Sequence, residues 1–391
     1  MGRRDQNRVR IFFIDLAEAV MANMMDYLLW RGDLSFKQAE FNEVDNLIFS
    51  ELVYVDFDGI VPALNEDKSI TLKEASKIFF EHHTDEEIEA KVSSTKMAAF
   101  LMRAMARTKR FGNIELSNYI NDIDLKEQSQ FCAMTIRLDD GSFFVVYSGT
   151  DNTIVGWKEN FNMSFLEQTP GQLKAVEYLN EVVNARYKKV RVGGHSKGGN
   201  LSVYASVYCK ESIQKKIIAI YSNDGPGFSE HMINSEAYHK MLPKIHTIIP
   251  ESSIVGMLLE HEEEYEVVES SNDGPMQHDA MSWEVQGPSF VHVKSVTEQS
   301  VLLDKTLKAW IHQMDGRERE EFVDALFGIL EEGEIKTVDD LANMKWKQFV
   351  DLLKIRNYLG TKSQEALKKT LKLLWKEGNQ TIKEAVIKKT K

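Results

Sequence analysis

The segment that most constrains the fold spans residues 189–200 and reads KVRVGGHSKGGN. It contains the pattern G-x-S-x-G, in which Gly194 and Gly198 flank Ser196, after an apolar strand pattern and before a helical one. Such a strand-to-helix turn is so tight that the flanking positions tolerate little but glycine. The pattern predicts that the Ser196 hydroxyl stands exposed at the carboxyl edge of a sheet, where it can act as a nucleophile.

The residue after the serine, Lys197, begins the predicted helix. Its backbone N–H lies where the partial positive charge of the helix can stabilise an oxyanion, so we predict an oxyanion-hole donor there. Two other interpretations are a glycine-rich turn with an idle serine and a phosphate-binding loop. The phosphate loop has the order G-x-x-x-x-G-K-[ST], whereas Lys197 follows Ser196.

Strand and helix patterns alternate through the middle of the chain. This alternation predicts an α/β fold with a mostly parallel sheet flanked by helices. The acidic stretch 260–269 is expected to form a solvated edge strand rather than a cation site. The predicted strands cover residues 131–138, 143–148, 189–193, 216–222, 244–249 and 264–269, and the predicted helices cover residues 171–187 and 197–211.

The chain is predicted to have three regions. An N-terminal helical segment covers residues 1–125, with a candidate lid or cap at 90–125. The α/β core covers residues 126–298, and an all-helical extension covers residues 299–391. The end of that extension, 366–391, carries eight lysines and two glutamates. Such a segment is a candidate for weak contact with an anionic membrane surface, although we favour a solvated terminal helix.

Composition excludes several function classes. The formal net charge of −12 argues against nucleic acid as a partner, because phosphate binding requires a basic surface. The only cysteines, Cys132 and Cys209, match no metal-ligand spacing and predict a reducing, cytoplasmic location. No apolar run reaches the roughly 18 residues of a membrane span. We expect no metal and no cofactor, and the sequence does not determine the oligomeric state.

The segment GGHSKGG is similar to the GHSLGG elbow of class 3 lipases, which have an α/β-hydrolase fold and act on acyl esters. Upstream, the segment 147–161 resembles the R-G-[ST]…W…N segment of those lipases, although Ser148 replaces the arginine and Lys197 replaces the elbow leucine. The resemblance implies that Thr150 supplies the other oxyanion-hole donor. Residues 20–330 also resemble a bacterial branch of unknown function related to these lipases, on the segments at 26–33, 223–228 and 277–279.

A serine needs a base to take its proton, and in α/β-hydrolases the chain order is serine, acid, histidine. The base must therefore follow Ser196. We predict His278, which lies in the polar loop SSNDGPMQHD after the last predicted strands, with His261 as an alternative. The histidines after Ser196 are His231, His239, His246, His261, His278, His292 and His312.

The acid that orients this base has two main candidates. Asp224 ends the predicted strand that follows the elbow, as in pancreatic-type lipases. Class 3 lipases place the acid one strand later, where the segment IIPESSIV offers Glu251 and the best-aligned position holds Ser253. We favour Asp224 and keep Glu251 as the alternative. Asp279 is a weaker candidate, because it adjoins the histidine in sequence.

These residues predict a serine hydrolase that cleaves acyl esters through a Ser-His-Asp triad and an acyl-enzyme. The alternative is a non-catalytic α/β-hydrolase scaffold that binds a small ligand or a protein partner. In that case we expect Ser196 and His278 to be more than about 6 Å apart, beyond hydrogen-bond reach.

Overall fold

The computed structural model describes residues 22–90, 94–124, 129–149, 168–298, 300–301, 304–305 and 308. Its helices are α1 (Met24–Arg31), α2 (Glu43–Leu52), α3 (Leu72–His82), α4 (Asp85–Glu89), α5 (Met97–Ala106), α6 (Pro170–Val182), α7 (Lys197–Tyr208), α8 (Glu211–Gln214), α9 (Glu230–Ile233) and α10 (Glu236–Met241). Its strands are β1 (Ile70–Thr71), β2 (Glu115–Asp124), β3 (Ser129–Arg137), β4 (Phe143–Tyr147), β5 (Val190–His195), β6 (Ile217–Asn223), β7 (Ile245–Pro250), β8 (Tyr265–Val268), β9 (Val285–Gln286) and β10 (Ser289–Phe290).

Strands β1 to β8 form one sheet in sequential order, and β9 pairs with β10 separately. Strands β4 to β8 run parallel to one another. Strands β1 to β4 pair in antiparallel fashion. The predicted α/β-hydrolase fold, with a mostly parallel sheet flanked by helices, is confirmed.

The two faces of the sheet are covered by different parts of the chain. Parallel strands in sequential order have right-handed crossovers in one direction, so their helices cover one face. On that face, α6 and α7 pack with Val145 and Tyr147 of β4. The alternate β4 residues, Phe144 and Val146, point to the other face and pack with α2 and α5. The N-terminal helices thus cover the face that the crossovers leave open.

Helix α2 lies against the sheet and is buried on nearly all sides. It begins at a capping box, in which Asn42 accepts hydrogen bonds from the N–H groups of Val44 and Asp45. The Asp45 carboxylate in turn accepts one from the Asn42 N–H at 2.9 Å. This cap fixes where the helix starts, and therefore which of its residues face the carboxyl ends of the central strands.

The predicted N-terminal helical segment also contains strands of the sheet, β1 and β2. Residues 70–125 were expected to be helical, but β2 occupies 115–124 and pairs with β3, so a boundary at residue 125 separates two neighbouring strands. A bulge between Ser117 and Ile120 breaks the strict alternation of β2 and hides its strand pattern. The candidate lid at 90–125 includes α5, where Leu101 and Met102 are fully buried, so this part belongs to the core.

The predicted helical extension at 299–391, with its lysine-rich end, lies almost entirely outside the described residues. Within the described part of the chain, no helix combines the length and the apolarity that crossing a bilayer requires.

A buried ion pair joins the N-terminal helices. Arg110 donates to both carboxylate oxygens of Asp45, at 2.8 and 2.5 Å, and neither side chain has exposed surface. Tyr27 donates a further hydrogen bond to this carboxylate at 2.9 Å. Arg110 also donates to the backbone carbonyls of residues 34, 39 and 40, so its guanidinium holds together the loop before α2.

Replacing Arg110 with leucine is expected to destabilise the protein by about 3–5 kcal/mol, because Asp45 is left charged and buried without its partner. Urea unfolding measures this loss. The control is Arg186→Leu, which removes an exposed arginine paired with Asp67 and should cost no more than about 0.5 kcal/mol. Equal losses in the two variants would contradict the structural role of Arg110.

Candidate active site

The turn between β5 and α7 holds Ser196 in an unusual backbone conformation, with φ 57° and ψ −128°. A non-glycine residue in this region stores roughly 1–3 kcal/mol of strain, which the surrounding structure must balance. The Ser196 N–H donates to the Asn223 carbonyl at 2.8 Å, which ties the turn to the end of β6. A Cβ atom at Gly198 would lie 2.1 Å from the Tyr147 carbonyl oxygen, so only glycine fits there.

The structure brings Ser196, His278 and Asp224 together. His278 Nε2 lies 3.1 Å from Ser196 Oγ, and His278 Nδ1 lies 2.6 Å from Asp224 Oδ2. His278 ends a short 3₁₀ turn, Gly274–His278, and Asp224 directly follows β6. This is the geometry in which one imidazole nitrogen faces a hydroxyl while the other is held by a carboxylate.

The Asp224 carboxylate is fully buried, and both of its oxygens accept hydrogen bonds. Oδ2 faces His278, whereas Oδ1 accepts from Ser253 Oγ at 2.5 Å and from the Gly256 N–H at 3.0 Å. The sequence does not predict these contacts of Ser253 and Gly256, although Ser253 stands where class 3 lipases place the acid. In this chain that position therefore contacts the acid from the turn that follows the neighbouring strand, β7.

The alternative candidates for the base and the acid have other partners. Glu251 Oε1 accepts from Gln277 Nε2 at 3.5 Å. The His261 side chain is 2% exposed, and its Nδ1 lies 3.1 Å from Glu263 Oε1. Asp279 accepts from the Met281 N–H at 3.1 Å, and burial is the main cause of its raised pKa.

The loop that carries His278 is held at the residue before the histidine, Gln277. Gln277 Oε1 accepts from the Ser252 N–H at 2.7 Å, and the Gln277 carbonyl accepts from Trp283 Nε1 at 2.9 Å. Trp283 is itself fully buried. Contacts of this kind hold the backbone around the histidine in one conformation.

A buried amide network connects the elbow to α2. Asn223 Nδ2 donates to the Gly194 carbonyl at 3.1 Å, and Asn46 Nδ2 donates to Asn223 Oδ1 at 2.7 Å. Ser50 Oγ accepts from Asn223 Nδ2 at 3.1 Å. The buried N-terminal helix therefore supports the turn that carries Ser196.

The structure describes one of the two predicted oxyanion-hole residues, Lys197. Lys197 is the first residue of α7, where backbone N–H groups have no acceptor within the helix, and its side chain is fully buried. Thr150 lies outside the described residues.

The exposure of the serine differs from the expectation. Ser196 was predicted to stand exposed, but only 4% of its surface is accessible. The closely packed Gly149 explains part of this, because a Cβ atom there would lie 3.1 Å from the Ser196 Cβ. The His278 side chain is 25% exposed, so this side of the site reaches solvent.

Within the described residues, one group of side chains could hold a metal ion. Glu43, Glu266 and His292 have ligand atoms within 4.8 Å of one another. Glu43 Oε1 already accepts from the Phe290 N–H and lies 2.9 Å from His292 Nε2. This carboxylate therefore already has hydrogen-bond partners within the protein.

The sheet and the strained elbow define the class of protein, one with an α/β-hydrolase fold. The chain belongs to the Mbeg1-like family, a lipase-class-3-like family whose model matches residues 105–328, more than half of the chain. The resemblance to class 3 lipases is thereby confirmed. No curated protein matches the chain significantly.

Three lipases are among the solved structures similar to this chain. The Rhizomucor miehei lipase propeptide complex shares 20% identity over 39% of this chain and 57% of its own, with a TM-score of 0.29. M37 lipase shares 16% identity over 56% of this chain and 70% of its own, with a TM-score of 0.37. A fungal lipase–inhibitor complex shares 18% identity over 39% of this chain and 65% of its own, with a TM-score of 0.28. The chain thus spans little more than half of the Rhizomucor miehei lipase.

Proposed function

We propose that this protein hydrolyses acyl esters through Ser196, His278 and Asp224. The observation that carries the proposal is the chain of contacts from Ser196 Oγ through the His278 imidazole to Asp224, at 3.1 and 2.6 Å. Distances within hydrogen-bond reach allow the imidazole to take the serine proton while the carboxylate keeps Nδ1 protonated.

In the proposed reaction, Ser196 Oγ attacks the acyl carbonyl carbon as its proton passes to His278 Nε2. The backbone N–H groups of Lys197 and Thr150 stabilise the resulting oxyanion. The intermediate then collapses, His278 gives its proton to the leaving alkoxide, and the acyl group remains on Ser196. Water gives a proton to His278 as its oxygen attacks the acyl carbon. This second intermediate collapses, the bond between Ser196 Oγ and the acyl group breaks, and Ser196 Oγ takes the proton back from His278 as the acid is released. Because His278 is the more exposed residue, the ester approaches from its side of the site.

The scaffold alternative predicts that the serine and the histidine are more than about 6 Å apart. The observed separation of 3.1 Å supports the catalytic proposal instead. The strained conformation of Ser196 supports it as well, because strain of this kind concentrates at functional sites.

We also propose a cytoplasmic location. Both cysteines, Cys132 and Cys209, are buried free thiols, and burial raises the pKa of each to about 12. A reducing compartment keeps such thiols unpaired. Fractionation of cells that produce the protein tests this location, and recovery outside the cytoplasm would contradict it.

Labelling with a fluorophosphonate tests the proposed nucleophile. An activated serine oxygen displaces fluoride from the probe and keeps the phosphonyl group. We expect labelling of the wild type and none of Ser196→Ala. The matched control is Ser206→Ala in α7, the helix that follows Ser196; among the described residues, the hydroxyl that it removes donates to the Ser202 carbonyl. Equal labelling of wild type and Ser196→Ala would refute the proposed function.

A further inference from the structure

The residue before the nucleophile, His195, is a buried histidine that the proposed reaction does not use. Its Nε2 lies 3.0 Å from the backbone carbonyl oxygen of His278. We propose that His195 is a positioning residue, which holds the backbone of His278 so that the imidazole stays aligned with Ser196. This inference rests on the proposed function.

The donor in this contact follows from the chemistry of its partner. A backbone carbonyl oxygen can only accept, so His195 Nε2 must carry the hydrogen. The rings of His195 and His278 lie 4.8 Å apart, and the edge of Trp283 packs against His195. The ring is therefore confined by its neighbours and cannot readily turn away from the carbonyl.

The other nitrogen of His195 faces α2. Its Nδ1 lies 3.2 Å from Glu51 Oε1 and 3.4 Å from the Tyr54 hydroxyl. Burial lowers the His195 pKa, but the Glu51 carboxylate, with smaller effects from Asp224 and Asp279, outweighs it and leaves this pKa raised. The nearby Glu51 carboxylate thus favours the protonated imidazole, in which Nε2 carries the hydrogen that the His278 carbonyl accepts.

This arrangement links the nucleophile to the base, because His195, which contacts the His278 backbone, directly precedes Ser196 in the chain. Ser196 carries the hydroxyl, and the residue before it holds the backbone of the histidine that must accept the proton. A misplacement of about 1 Å in such a pair can cost on the order of 100-fold in rate. His195 therefore fixes a distance on which the proposed reaction depends.

Two amide substitutions test the inference, because they differ by one methylene in reach. In His195→Gln, the side-chain nitrogen can occupy the position of Nε2 and donate to the His278 carbonyl. In His195→Asn, the nitrogen reaches only the position of Nδ1. We expect kcat on a p-nitrophenyl ester to fall about 10- to 100-fold in His195→Asn, with KM nearly unchanged. His195→Gln should stay within about threefold of wild type.

The rate of fluorophosphonate labelling should follow kcat in both variants, and urea unfolding shows whether each variant is folded. Wild-type labelling rates in folded His195→Asn, or equal losses in both variants, would overturn the positioning role while the proposed function stands. An unreactive wild type would overturn both.

The protonation of His195 Nε2 can also be measured on the unaltered protein, so this test does not depend on the folding of a variant. The ¹⁵N chemical shift of His195 Nε2 should be that of a protonated nitrogen, because the carbonyl requires a donor. An unprotonated Nε2 would overturn the inference whatever the activity of the protein.

Discussion

Replacing Ser196 with alanine is expected to lower kcat on a p-nitrophenyl ester by a factor on the order of 10⁶, the loss typical of removing the nucleophile of a serine triad. The variant keeps the backbone donors near the elbow, so slow residual hydrolysis above the rate in water should remain. Steady-state kinetics on esters of graded chain length measure this loss and also define the preferred acyl group.

The comparison depends on the variant being folded. Ser196 occupies a strained position, and alanine in the same conformation should leave the urea midpoint nearly unchanged, because the contact that ties the turn to β6 is made by the backbone. Ser206→Ala should keep wild-type kinetics. A Ser196→Ala protein that retains more than about a hundredth of wild-type kcat would place the nucleophile elsewhere.

The sequence predicts the parts of this molecule that depend on local pattern. The parallel strands and their helices follow from alternating apolar segments. The elbow follows from glycines at positions where neighbouring backbone atoms leave no room for a Cβ atom. His278 could be proposed from chain order together with its place in a polar loop after the last predicted strands, because the loops after parallel strands gather at one edge of the sheet.

The remaining features depend on contacts that no local pattern records. The bulge hides β2, and the role of α2 depends on which face of the sheet the crossovers leave open. The contacts of Glu51 with His195 and of Ser253 with Asp224 join residues far apart in sequence. The choice between Asp224 and Glu251 likewise depends on how two strands end, so the sequence favours Asp224 but does not exclude Glu251.

These contacts give the N-terminal helices a role beyond covering the sheet. Asn46 and Glu51 of α2 reach the elbow from the side opposite the crossover helices, one through Asn223 and the other through His195. A helix buried on nearly all sides moves little, so groups attached to it can hold a strained turn in place. The proposed site is therefore supported from both layers of the fold.

Replacing Asp224 with asparagine is expected to lower kcat by about 10⁴-fold, and the structure indicates why. Oδ1 accepts from the Gly256 N–H, which can only donate, so the amide oxygen of asparagine must take that position. Its NH₂ group then faces His278 Nδ1, which must become an acceptor. The imidazole hydrogen moves to Nε2, and the nitrogen that should take the Ser196 proton can no longer do so.

The matched control is Glu251→Gln, which alters the alternative acid by the same isosteric change. Glu251 contacts Gln277 rather than the imidazole, so this variant should lose no more than about threefold in kcat. The ¹⁵N shifts of His278 provide a second readout, because Asp224→Asn should exchange the protonation states of its two ring nitrogens. Retained activity in Asp224→Asn, with a large loss in Glu251→Gln, would assign the acid to the later strand, as in class 3 lipases.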